Sequence, residues 1–347
     1  MKIKKNVFAL LISVPALMSL TACDLTQFFN KSKKDDSQPI DGVVFTFETD
    51  RASDYRSYFR STSFGDFDFN KKTFKEPDFY DASMISDGSV NPLCYTSYKL
   101  KKLEEAGQLP NGFKFLDYDI TYSNVLDYYP TPDCQLANDI NTIVNSDAHY
   151  IKEPVDNKYS CSAVYCPAYN YVIDVLNAIP LSGDVARDER LYYKYALEHY
   201  TAIPEVYMNV IDDIINENNW YNGEYDQVNE IAAYISSIGA PRIVDEGNVD
   251  IQTSANGKLR DPIYELIENH TGNDFDFSTL AVMTFRRLDI PARMVEGYLL
   301  TSVKEGVNEV DQTRKHYWSE IYVSGTGWMI CDCTDIDSII GENPYAN

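Results

Sequence analysis

The sequence predicts an α+β protein in two domains: a β-rich, sandwich-like domain over residues 42–183, then a domain of helices packed on an antiparallel sheet over 184–347. Three observations carry this. Short runs rich in β-branched and aromatic residues, separated by turn signals, fill the first half. After Asp184, apolar residues recur at helical spacing instead. The stretch 272–332 then reads as one helix followed by two alternating strands.

Taken in order, the chain opens with Lys2, Lys4 and Lys5, an apolar run over 7–20, and Leu20-Thr21-Ala22-Cys23. The run is too short to span a membrane, so 1–22 reads as an export signal. Leu-Thr-Ala-Cys resembles the lipobox of bacterial lipoproteins, which implies lipid attachment at Cys23 and an extracytoplasmic protein held on the cell membrane. Residues 23–41 are polar and charged, with Lys31-Ser32-Lys33-Lys34-Asp35-Asp36. They cannot bury enough apolar surface to order themselves and read as a flexible tether.

Once the signal is removed, about 325 residues remain, enough for two domains with real cores. Without the three signal lysines, 27 basic face 53 acidic residues, a charge of −26. That excludes nucleic acid and direct adhesion to anionic lipid as partners. Beyond Cys23 there are six cysteines, which in an exported chain allow up to three disulfides with fifteen connectivities. Their C-x4-C and C-x-C spacings lack the paired pattern of structural zinc, and no metal or other cofactor is expected.

In the first domain, Val43 to Phe47 is rich in β-branched and aromatic residues, Tyr118, Ile120 and Tyr122 alternate with polar neighbours, and Tyr159 begins a third run. Asn91-Pro92, Pro110-Asn111-Gly112 and Pro130-Thr131-Pro132 mark turns between them. Asp66, Asp68, Asp78 and Asp81 read as solvated turn carboxylates, since no ligand-loop spacing accompanies them. The 27 tyrosines keep open a carbohydrate-binding surface lipoprotein as one alternative function.

Helices follow. Ile203, Tyr207, Val210, Ile211 and Ile214 share a face, with Pro204 suited to a first turn. Val228, Ile231, Ala232 and Ile235 share another, ended by Gly239 and Pro241. Residues 242–258 read as a loop bordering a groove, and 261–268 as a short helix.

In the final stretch, Phe277, Leu280, Ala281, Thr284 and Leu288 lie on one buried face of a helix that begins near Asp274 and ends at Asp289 and Pro291. Period-2 alternation puts His316, Trp318 and Glu320 on one face of the first strand, and Trp328, Ile330 and Asp332 on one face of the second. A helix N-terminus, a histidine and a carboxylate can therefore converge.

Phe277-Ser278-Thr279-Leu280, Arg287-Leu288, Ile290-Pro291-Ala292-Arg293, Gly297-Tyr298, His316-Tyr317-Trp318 with Glu320, and Gly327-Trp328 with Asp332 resemble the transglutaminase-like superfamily. The resemblance implies a papain-like fold with a cysteine at the helix start, a histidine on the next strand and an aspartate on the one after. It assigns catalytic positions to Asp274, His316 and Asp332, and Trp318, Glu320 and Trp328 are candidate substrate-binding residues. Active members transfer acyl groups through a thioester on that cysteine.

Counted back without a gap, the cysteine position falls on Asp274. A thiolate at a helix N-terminus is a competent acyl acceptor, whereas a carboxylate attacking an amide would form an anhydride and expel a poor leaving group. His316 would sit between two carboxylates and be held protonated, unfit as a general base. Cys331 and Cys333 flank Asp332 but point away from it on a strand. The leading expectation is therefore a lipid-anchored, catalytically degenerate module that binds a peptide or protein of the cell envelope. Enzymatic activity stays open, either as a working acyltransferase or peptidase or as acid/base or metal-assisted hydrolysis by Asp274, His316 and Asp332, with Asp276 as a possible helper. The structural alternative makes Asp274 a helix N-cap and His316–Asp332 a hydrogen-bonded pair without chemistry.

Overall fold

Among the described residues of the computed structural model, ten strands in two five-stranded sheets and six helices carry the fold: β1 (Val43–Thr49), β2 (Ser57–Phe64), α1 (Tyr95–Glu105), β3 (Lys114–Tyr122), β4 (Thr131–Pro132), β5 (Gln135–Leu136), β6 (Lys158–Tyr165), α2 (Gly183–His199), α3 (Glu205–Asn218), α4 (Val228–Ile238), α5 (Pro262–Asn269), α6 (Asp274–Arg287), β7 (Ala292–Leu300), β8 (Gly306–Asp311), β9 (Lys315–Val323) and β10 (Gly327–Cys331). The structure describes residues 42–53, 56–75, 95–109, 113–132, 135–136, 143–145, 150–151, 154–165, 176, 179–223, 225–241 and 260–334. The signal segment, Cys23 and the tether lie outside the described residues, as do Cys94, Cys134, Cys166, Asp78, Asp81 and the 242–258 loop.

One sheet has the order β8-β1-β3-β6-β5 and the other β10-β9-β7-β2-β4. Both mix strands from the two sides of residue 184. β1 pairs antiparallel with β8 through Phe45 with Val310 and Phe47 with Asn308, and β2 pairs with β7 through Phe59 with Tyr298 and Phe64 with Met294. The β-rich N-terminal segment is therefore not closed on itself, and residues 40–347 form one compact unit. The sandwich core lies between the sheets, where Phe45, Phe47, Tyr118, Ile120 and Val310 of the first meet Phe59, Tyr298 and Leu300 of the second.

The N-terminal segment also holds a helix where strand was expected. α1 carries Tyr95 and Leu100 inward, and its exposed side is stabilised by the i,i+3 ion pairs Lys101–Glu104 and Lys102–Glu105. That charge pattern was the available signal. Pro204 sits at the N-cap of α3 rather than in its first turn.

α6 is the centre of the helical layer. The sequence pattern implied one buried face, yet every residue from Phe275 to Arg286 is buried, because sheet strands β7 and β9 cover one side while α3, α4 and α5 cover the rest. Its polar side chains are satisfied internally. Thr279 and Thr284 hydroxyls donate back to Phe275 and Leu280 carbonyls at 2.6 and 2.8 Å, and Ser278 donates to the Tyr317 carbonyl at 3.2 Å. Arg286 donates to the carbonyls of Ala292, Ala202 and Gly65 at 2.8, 3.1 and 2.8 Å. Burial pulls this guanidinium down to about 10.

Across the second sheet, Glu320 is fully buried between Arg60 of β2 and Arg293 of β7, which donate to its two oxygens. Burial opposes its ionisation, but the two guanidinium charges hold it below the usual carboxylate range. Breaking a buried pair costs about 3–5 kcal/mol because one charge loses its compensation. Arg60→Met is expected to destabilise by about 3 kcal/mol, read as a lower urea midpoint at unchanged slope. An unchanged midpoint would mean that Arg293 alone neutralises Glu320.

Candidate active site

The N-terminus of α6 is built by a capping box. Asn273 is the N-cap, its side chain accepting from the Asp276 N–H at 3.1 Å, while Asp276 accepts from the Asn273 N–H at 2.9 Å. Asp276 is further locked by Arg260 at 2.6 Å and is fully buried, so it takes no part in chemistry at Asp274. The alternative that made Asp274 the helix N-cap is thereby corrected: it is the first helical residue, and its carboxylate turns outward to the sheet. Oδ1 accepts from the Phe275 N–H at 2.9 Å and Oδ2 from the Tyr317 N–H at 2.8 Å.

His316 lies in β9 opposite Gly297 of β7. A Cβ at 297 would lie 2.1 Å from the Phe59 carbonyl oxygen and 2.7 Å from the Trp318 ring. Glycine therefore leaves room for Trp318, whose indole stacks on the imidazole at 6.1 Å between centroids and 20° between planes. The ring is placed between two carboxylates. Nδ1 is 2.9 Å from Asp274 Oδ2 and Nε2 is 2.7 Å from Asp332 Oδ2.

Asp332, one residue past β10, is fully buried and accepts four hydrogen bonds. Oδ2 takes His316 and the Tyr58 hydroxyl at 2.9 Å, and Oδ1 takes the Thr334 N–H and hydroxyl at 3.0 and 2.6 Å. Burial raises its proton affinity, yet the His316 charge and the hydrogen bonds from His316 and Thr334 outweigh it and hold Asp332 at about 2. Burial likewise works against the imidazolium, but the Asp332 charge and the hydrogen bonds to both aspartates lift His316 to about 10. At neutral pH the site holds an imidazolium between the side chains of Asp274 and Asp332.

The structure thus brings Asp274, His316 and Asp332 together. It does not bring Trp318, Glu320 and Trp328 to a substrate: all three are buried. Trp318 supports the imidazole, Glu320 sits in its arginine clamp, and Trp328 lies under Arg293 at 3.9 Å with its Nε1 donating to Tyr192 at 2.8 Å. These residues share the strand face with the site, as alternation required, but alternation gives a face and not its cover; Tyr192 of α2 and Tyr200 just after it cover Trp328, while Tyr58 and Arg60 of β2 cover Trp318 and Glu320. Cys331 and Cys333 are buried with α6 in the helical core, and the neighbouring Cys331 thiol together with burial pushes Cys333 well above the usual thiol range. Together with Cys161 they are free thiols.

Two partners of Asp332 were absent from the sequence reading. Thr334 had a local signal, since Asp-x-Thr favours a side-chain turn two residues on. Tyr58, 274 residues away, had none beyond sharing strand parity with Arg60. Among the described residues no group of three or more acidic, histidine or cysteine side chains is arranged to hold a metal ion. Both imidazole nitrogens face carboxylates at hydrogen-bond distance, which leaves no lone pair for coordination.

These shifts set a pH window. The His316 value is raised above its ordinary 6.5, so its contribution to stability is complete below about 6.5 and fades as pH rises towards about 10. The Asp332 value is lowered from its ordinary 3.8, so its contribution is complete above about 3.8 and fades as pH falls towards about 2. Urea unfolding across pH is expected to show full stability from this site between those limits, with His316→Gln flattening the alkaline decline. An alkaline slope identical in wild type and His316→Gln would show that the imidazolium is not what the two carboxylates stabilise.

Residues 212–333 match the transglutaminase-like superfamily. No curated protein matches the chain in sequence. Among solved structures, the periplasmic domain of TgpA from Pseudomonas aeruginosa bound to ethylmercury is similar at 14% identity and a TM-score of 0.50, covering 87% of this chain and 92% of that one. A second structure of the TgpA periplasmic domain gives 13% identity and a TM-score of 0.48, over 84% of this chain and 87% of that one. With the helix–strand–strand order of α6, β9 and β10 already placing Asp274, His316 and Asp332 side by side, residues 212–333 are a domain of the transglutaminase-like superfamily.

Proposed function

We propose that this chain is an exported, lipid-anchored transglutaminase-like protein whose nucleophile position is filled by Asp274, and that it acts as a peptide- or protein-binding module of the cell envelope. The observation that carries the reading is the ion pair between Asp274 and His316 at 2.9 Å. In an acyl-transfer site that place holds a thiolate beside an imidazolium. A carboxylate reproduces the charge but not the nucleophilicity. The imidazolium it stabilises is also unavailable as a general base, which argues against acid/base hydrolysis by the same three residues.

The alternative of a carbohydrate-binding surface loses support from burial. Tyr58, Tyr95, Tyr118, Tyr122 and Tyr129 are all core residues. Among the described residues with assigned burial, no tyrosine between positions 42 and 183 is exposed. An extracytoplasmic location rests on the export-type N-terminus and agrees with the likeness to a periplasmic domain. Among the described residues, no helix is long and apolar enough to cross a membrane. The lipobox-like Leu20-Thr21-Ala22-Cys23 makes Cys23 the anchor. Cys23→Ser is accordingly expected to move the protein from the membrane fraction to the soluble exported fraction, and retention on the membrane would remove the lipid anchor from the proposal.

Acyl transfer and amide hydrolysis on glutamine-containing peptides test the central claim. Wild type is expected to bind such peptides without turnover, Asp274→Cys to gain activity about 100-fold or more above background, and Asp274→Cys/His316→Ala to lose it. Wild-type turnover that disappears in His316→Ala or Asp332→Ala would overturn the degenerate reading.

A further inference from the structure

We propose that Tyr58, delivered by β2 from the N-terminal segment, is a positioning residue of the site: its hydroxyl divides Asp332 Oδ2 with His316 and so limits how strongly that carboxylate holds the imidazole proton. The inference rests on the reading of Asp274, His316 and Asp332 as the site of a transglutaminase-like domain.

The geometry is specific. Tyr58 is 3% exposed, its hydroxyl is 2.9 Å from Asp332 Oδ2, and His316 Nε2 is 2.7 Å from the same oxygen. The other oxygen is already occupied by the two Thr334 donors. Hydrogen bonds to one carboxylate oxygen compete, because each donor withdraws electron density that the other would share. The phenol therefore weakens the His316–Asp332 bond while fixing the plane of the carboxylate. Packing holds the phenol in place: its ring meets Trp318 edge-on at 5.1 Å and lies 6.4 Å from the imidazole, and Trp318 in turn stacks on His316. One aromatic stack thus sets both donors of Oδ2. This contact brings residues from opposite ends of the chain to one atom, and the 212–333 match does not include it.

Tyr58→Phe keeps the ring and removes only the hydroxyl, so it separates this role from packing. Only four histidines are present, which makes the His316 Nε2–H resonance assignable by loss in His316→Gln. In full-length protein carrying Tyr58→Phe, that resonance is expected to move downfield and the His316 titration midpoint to rise. In the Asp274→Cys background, an imidazolium that holds its proton more tightly is a poorer acid towards the leaving amine. There Tyr58→Phe is expected to lower kcat about tenfold with KM unchanged. An unchanged or upfield resonance overturns the proposal, as does a Tyr58→Phe effect that persists undiminished in Asp332→Asn, since the proposed action runs through that carboxylate. If Asp274→Cys is inert while the wild-type resonance still moves downfield in Tyr58→Phe, the role of Tyr58 stands and the reading of the site as an acyl-transfer scaffold fails.

Discussion

A helix with no solvent face is the constraint on which the rest of this structure depends. An ordinary surface helix sheds its polar groups into water, whereas α6 must satisfy those from Phe275 to Arg286 inside the protein. The consequences reach across the chain. Arg286 ties the end of the helix to the carbonyls of Gly65, Ala202 and Ala292, and Arg260 neutralises Asp276 at its start. The capping box of Asn273 and Asp276 fixes the first turn without using the side chain of residue 274, which bonds the sheet instead.

The first turn of α6 suits an anionic side chain at position 274. The fields there favour an anion: the helix N-terminus, the Tyr317 N–H and the His316 imidazolium all point at it. Thiolate and carboxylate both meet that demand. They differ in what they do next, since a thioester is an energetic but accessible intermediate and an anhydride formed from an amide is not. Asp274 thus meets the electrostatic demand of that place with a carboxylate.

Legibility followed the range of the interactions. The helix and strands of 272–332 were readable because their periodicity is local, and the strand faces carrying His316, Glu320 and Ile330 pair as alternation requires. The placing of His316 between two carboxylates was implied by the family resemblance, which assigns Asp274, His316 and Asp332 to one site, and the distances agree with it. What did not follow was the cover on each face. Trp318, Glu320 and Trp328 are polar-tipped residues on a shared face and looked available to a ligand, yet β2 and α2 close over them. The helix N-cap was missed by one residue, since Asn273 and Asp274 are both good caps and only the reciprocal bond to Asp276 decides between them. The full burial of α6 was invisible for a similar reason: Thr279, Thr284 and Arg286 look like a polar face until their carbonyl partners are known.

The insertion of β2 next to β7 has one further consequence. Tyr58 and Arg60 are both directed to the face of the sheet that carries Trp318 and Glu320, the first reaching Asp332 and the second Glu320. Withdrawing β2 would therefore strip a donor from each of two buried carboxylates and open the edge of β7 at the same moment. Buried carboxylates tolerate such loss poorly. Order at the site and pairing of the N-terminal strand are then one cooperative event, and the segment before residue 184 acts less as a separate domain than as the missing wall of the core that follows it.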